Sequence, residues 1–155
     1  MCLYLARNAE VQARRDRAYL NEHRGQNEWT AWKVVWAVPA VTAPLGTRLQ
    51  SWTFPFVHGN WIPGVHKSTR SHTRLSENER RLGTVEAGFH VYRTRAAAER
   101  CTRWFAIVIL PVRVRRSEFV AADAAGEAVF RRVRVRKADY DRTLRMANTQ
   151  REARG

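Results

Sequence analysis

Hydrophobic positions change period several times along this chain, and each change marks an element. The opening "MCLYLA", residues 1–6, is a short apolar run that reads as a strand before a polar break. From Ala9 to about His23 the residues permit helix, with Val11, Ala18, Tyr19 and Leu20 roughly on one face and Gly25 as the stop. "WTAWKVVWAV" then alternates as a strand does: Trp32, Val34 and Trp36 fall on one face, Lys33, Val35 and Ala37 on the other. Pro39 and "TAPLG" make a turn, and "TRLQSWTFPFV" reads as a strand interrupted at Pro55. "HGNWIPGVHKS" has the glycine and proline of a hairpin or an active loop. Residues 67–84 are polar and form the longest loop-like segment, with one helical turn expected at "SENERRL".

Glu86 to Tyr92 read as a short strand or turn, and Thr94 is a good N-cap for a helix over "RAAAERCTRW". "FAIVILPVRV" is the expected central strand, apolar on both faces as far as Pro111. "SEFVAADAAGEAVF" gives a strand and a turn at "DAAGE", and "AVFRRVRVRK" is the last strand. Residues 138–155 form a basic polar tail in which "DYDRTLRMA" can be helical. The pattern predicts one α+β domain over residues 1–137, with a mostly antiparallel or mixed sheet and two or three short helices.

Composition adds limits. With 155 residues, 45% of them hydrophobic, the chain can bury a core, and wholesale disorder is excluded. The longest apolar run, "WFAIVILPV", is strand-sized, so no membrane partner is expected. The N-terminus lacks the pattern of a secretory signal, which makes a cytoplasmic location the default. Cys2 and Cys101 stand far apart and neither belongs to a CxxC pair, so no disulfide framework is expected. His58, His66 and His72 lack cysteine or carboxylate at ligand spacing, so no metal site and no cofactor are expected.

Charge changes the picture most. Lys and Arg total 28 against 14 acidic residues, a formal charge of +14, and nearly all the excess is arginine. Arginine offers a planar fork for phosphates and carboxylates and stacks on bases. Nucleic acid or another polyanion is therefore the expected partner, with an acidic protein surface as the alternative.

In "VILPVRVRR", Arg113 and Arg115 share a face; in "FRRVRVRK", Arg132, Arg134 and Arg136 do. Were these strands neighbours, five guanidinium groups would line one sheet surface and repel each other unless acids or phosphates lay against them. Splayed arginines covering apolar surface with their stems are the competing reading. Lys67, Arg70 and His58 in the 58–74 loop extend the candidate set. Trp52, Trp61, Trp104, Tyr92 and Phe130 are candidate stacking platforms, Trp61 being the one expected to be exposed.

Several motifs occur in an order that resembles a family of small uncharacterised bacteriophage and bacterial proteins. They are "MCLYLA" at 1–6, "WKVVWA" at 32–37, "LQSWTFPFVHGNWIPG" at 49–64, "EAGFHVYRTRAAAE" at 86–99 and "IVILPVRVRRSEFVAADAAGEAVFRRVRV" at 107–135. Members open with Met-Cys-Leu or Met-Cys-Ile and carry a Gly-x-His motif before a helix. The resemblance implies a shared fold and a phage-type origin, with no activity attached.

Three sets of residues are candidates for chemistry. A strand over 86–90 would place Glu86 and His90 on one face as a carboxylate–histidine pair, although a histidine bonded to backbone at a strand end is the commoner arrangement. With Ser51 these residues loosely match an ADP-ribosyltransferase-like layout, but no Glu-x-Glu pair is present. Cys2 would become an N-terminal nucleophile if Met1 were removed. The expectations are thus a small accessory protein that binds an anionic partner, a nucleotide-processing enzyme, or a component of a virion or ribonucleoprotein assembly.

Overall fold

The structure, a computed structural model, describes residues 3–39, 47–51, 60–100 and 107–154. In chain order the elements are β1 (Leu3–Tyr4), α1 (Ala9–Glu22), β2 (Glu28–Pro39), β3 (Thr47–Ser51), β4 (Gly64–Lys67), α2 (Glu77–Leu82), β5 (Thr84–Val85), β6 (Phe89–Tyr92), α3 (Arg95–Glu99), β7 (Ile107–Arg115), a 3-10 turn (Arg116–Glu118), β8 (Phe119–Ala122), β9 (Glu127–Phe130), β10 (Arg132–Val135) and α4 (Lys137–Arg154). The chain is an α+β domain in which every strand pairing is antiparallel.

The helices begin where side chains can satisfy their first backbone N–H groups. Asn8 accepts from Glu10 and Val11 ahead of α1, and Thr94 accepts from Ala97 ahead of α3. Ser76 and Glu79 form a reciprocal capping box on α2, which Gly83 ends at φ 72°.

The large sheet has the order β4-β10-β7-β2-β6-β9-β8, with β3 paired to the far end of β2. The segment read as one last strand breaks at Arg131: β9 pairs with β6 and β8, whereas β10 pairs with β7 and β4. Among the described residues the sheet is open, with β4 and β8 as its edges. Yet β9 and β10, which lie on opposite sides of β2 in that order, are joined through Arg131 alone, so the sheet must coil to bring them end to end. Inside lie Trp29, Ala31 and Val35 of β2, Leu110, Val112 and Val114 of β7, Phe130, and Val133 and Val135 of β10. α1 adds Tyr19 to this core. The segment from residue 138, read above as a tail, forms α4 and seats Tyr140, Leu144 and Ala147 against the same core.

Two smaller clusters cover parts of the outer surface. Leu3 and Val85 of the β1–β5 ribbon pack on Val120, Ala121 and Val129, while Ala97 and Ala98 of α3 cluster with Val34, Tyr92 and Ile107. Among the described residues, one outer area has no such cover, where β2, β7, β10 and β4 run side by side. The β8 edge is closed by α1: Asp16 accepts from the Ala122 N–H at 3.0 Å, and Gln12 donates to the Ala122 carbonyl at 2.8 Å.

Candidate functional site

Strand alternation decides which side chains reach that outer area. β2 and β7 are in register with Glu28 opposite Arg115, Thr30 opposite Arg113 and Trp32 opposite Pro111. Across the next ladder, Arg134 of β10 lies directly opposite Arg113. Beyond it, β4 sets Val65 opposite Arg134 and Lys67 opposite Arg132. Their immediate neighbours Trp29, Ala31, Val112, Val114, Val133 and Val135 point inward and are buried.

A shallow cavity of about 140 Å³ opens on this face, lined by Arg113, Arg115, Arg132, Arg134, Glu28, Glu118 and two valines. Glu28 holds the arginines in place. Its Oε1 accepts from Arg134 Nη2 at 2.7 Å and from Arg113 Nε at 3.4 Å, while Arg115 Nε lies 3.8 Å from Oε2. Arg113 also donates to Thr30 Oγ1 at 2.8 Å. Glu118 is committed elsewhere: Arg131 donates to both its oxygens, at 2.7 and 3.2 Å, and these bonds hold its carboxyl below the usual range. The Arg132 guanidinium makes no hydrogen bond or ion pair among the described residues, and it acts on Glu118 only through its charge. Three guanidinium groups therefore share the Glu28 carboxylate and a fourth stands unpaired beside them, leaving the cavity a net cationic site, with Lys67 opposite Arg132 on the neighbouring strand.

The other candidate residues separate from this face. Arg136 is ion-paired with Asp139 at 2.7 Å where α4 begins. Arg70 is a correction to the anion-binding set: it is 8% exposed and every guanidinium nitrogen is occupied. It grips both oxygens of Glu79, at 2.7 and 2.8 Å, and donates to the carbonyls of His72, Arg74 and Ala87. Trp61 is a second correction. Expected to be exposed, it is 3% exposed and packs in the core against Phe89 and His66. Tyr92 and Phe130 are likewise buried, which removes them as stacking platforms. His58, Cys2, Trp52, Cys101 and Trp104 lie outside the described residues. Ser51 ends β3, its backbone opposite Val35.

His90 does meet Glu86, but at the backbone: its Nε2 lies 3.1 Å from the Glu86 carbonyl oxygen. Strand β6 starts only at Phe89, after Gly88 at φ 124°, so residues 86, 88 and 90 do not share a strand face as expected. Burial pushes the imidazole down to about 4, and Nδ1 has no hydrogen-bond partner among the described residues. Lys33 is also buried and donates to the His90 carbonyl at 3.0 Å; burial lowers its ammonium to about 8. It bridges β2 and β6 where their ladder has a single Cα pair, Trp32 with Tyr92.

The histidine shift has a checkable consequence. The unfolded chain takes up the proton near 6.5 and the folded chain near 4, so stability falls as pH drops between those values. The loss attributable to His90 is about 3 kcal/mol in all. Urea midpoints of the wild type minus those of His90→Phe, measured from pH 7 to pH 4, should show this slope; a flat difference would show that His90 is not held neutral by burial.

Glu28, Thr30 and Glu118 were missed by the sequence reading, which began this strand at Trp29. A signal did exist, since Glu28 and Thr30 extend the alternation of Trp32, Val34 and Trp36 backwards by two positions. Among the described residues no group of three or more His, Cys, Asp or Glu side chains could hold a metal ion, and no helix is long and apolar enough to cross a membrane. No family model, curated protein or solved structure matches the chain.

Proposed function

We propose that this protein binds a phosphate-bearing polyanion on the outer face of β2, β7, β10 and β4, as a small accessory protein of the phage type that its motif order suggests. One observation carries the reading: Arg113, Arg115, Arg132 and Arg134 converge on a cavity in which Glu28 is the only carboxylate not already neutralised from outside. Their arrangement suits an incoming phosphate for two reasons. Glu28 fixes the guanidinium groups before a ligand arrives, which lowers the entropy lost on binding. Arg132 and the loosely held, 65% exposed Arg115 keep donors available for phosphate oxygens.

The net charge alone is a weaker argument, because many arginines serve the fold. Arg116 donates to the carbonyls of Leu20 and His23 that end α1, Arg131 holds Glu118, and Arg70 holds Glu79. The test is a triple substitution, Arg115→Gln, Arg132→Gln and Arg134→Gln, compared with wild type in fluorescence anisotropy against labelled oligothymidylate and in retention on heparin. These side chains are surface-exposed or half-buried, so the urea midpoint should hardly move. Affinity for both polyanions should fall by about tenfold or more, given the worth of charged hydrogen bonds. Equal affinity of the variant and the wild type would refute the reading.

A further inference from the structure

We infer that the polyanion is a single-stranded nucleic acid, its phosphates on the arginines and one base stacked on Trp32; this rests on the polyanion reading above. The same alternation that brings Glu28 and Thr30 to the outer face brings Trp32 there as well. Trp32 is two residues beyond Thr30, about 7 Å along the strand, and lies beside Pro111 as Thr30 lies beside Arg113. It is half-buried, packed against the α3 cluster and in part exposed to solvent. An aromatic ring held next to a cationic cavity is the combination that sequence-tolerant single-strand binding uses, since every base has a π-face and every nucleotide a phosphate.

Other polyanions use only half of this surface. A duplex keeps its base faces inside the stack and shows only base edges in its grooves. Heparin has no bases, and an acidic protein segment has carboxylates in place of phosphates. Farther along the face, Trp36 is 37% exposed. Val34, between the two tryptophans, is buried in the α3 cluster, and of the two Trp32 is nearer along β2 to Glu28 and Thr30.

The experiment compares wild type, Trp32→Leu and Trp32→Phe for binding to oligothymidylate, to a duplex of equal length and to heparin. Trp32→Leu should weaken oligothymidylate binding about tenfold, from the worth of one stacked base, and leave heparin affinity unchanged within about twofold. Trp32→Phe keeps a ring and should fall between. Binding of the single strand should also quench wild-type tryptophan fluorescence, a readout that requires no variant to fold. Retained oligothymidylate affinity in Trp32→Leu, or an equal loss toward heparin, would overturn the inference. If in addition the triple arginine variant had lost heparin binding, the polyanion reading would stand while the single-strand inference fell; a triple variant that binds both polyanions as tightly as the wild type would remove both.

Discussion

Replacing Arg70 with alanine should cost about 3–5 kcal/mol of stability, the range for breaking a buried ion pair from one side. The guanidinium is the hub of the polar segment between β4 and α2. It fills both oxygens of Glu79 and satisfies the carbonyls of His72, Arg74 and Ala87. Removing it leaves Glu79, whose carboxyl Arg70 holds below its ordinary value, without its main partner. It also leaves three carbonyls to find water in a segment with little apolar burial of its own. Arg70→Lys should recover only part of the loss, because a point charge cannot span two carboxylate oxygens and three carbonyls. Urea denaturation of both variants measures this, and a loss under about 1 kcal/mol for Arg70→Ala would show that the network is ornamental.

Gly88→Ala should rank next, at about 3 kcal/mol, combining overpacking with a backbone conformation that L side chains avoid. Gly88 has φ 124°, and a Cβ there would stand 2.5 Å from Val129 Cγ1 and 3.3 Å from the Phe130 carbonyl oxygen. Val129 is fully buried and cannot swing away, so β6 would have to separate from β9 just where His90 enters the ladder. Gly83→Ala is the control. Gly83 also has a positive φ, 72°, but a Cβ there meets nothing within 4 Å, so only the backbone term of about 1 kcal/mol should appear. Equal losses at the two glycines would mean that close approach plays no part at Gly88.

These two sites show what the sequence could and could not reveal. Thr94 as a cap, the central strand ending in alternating arginines and the turn at "DAAGE" were legible because each depends on neighbours a few residues away. The shared face of Arg113 and Arg134 was legible only as a condition, since alternation fixes a face but not which strand lies alongside. Arg70 could not be told from a solvated loop arginine: its partners Glu79 and Ala87 come together only once α2 and the turn before β6 fold back. Trp61 failed for a related reason, because glycine and proline around a tryptophan report a turn and not whether the turn lies on the core. The break at Arg131 left a mark, since the doubled arginine of "FRRVRV" moves the apolar positions from 130 to 133 and 135, but alternation does not say that the strand changes partners there.

The salt dependence of oligothymidylate binding tests the central claim most directly. With the four cavity arginines each displacing counterions, the logarithm of affinity should fall with the logarithm of salt concentration at a slope of about −3, and the triple variant should lower that slope by about 2. Such a pair of slopes would place the polyanion on Arg115, Arg132 and Arg134. Binding that ignores salt, or a triple variant with the wild-type slope, would contradict the account and leave the arginine face without a ligand.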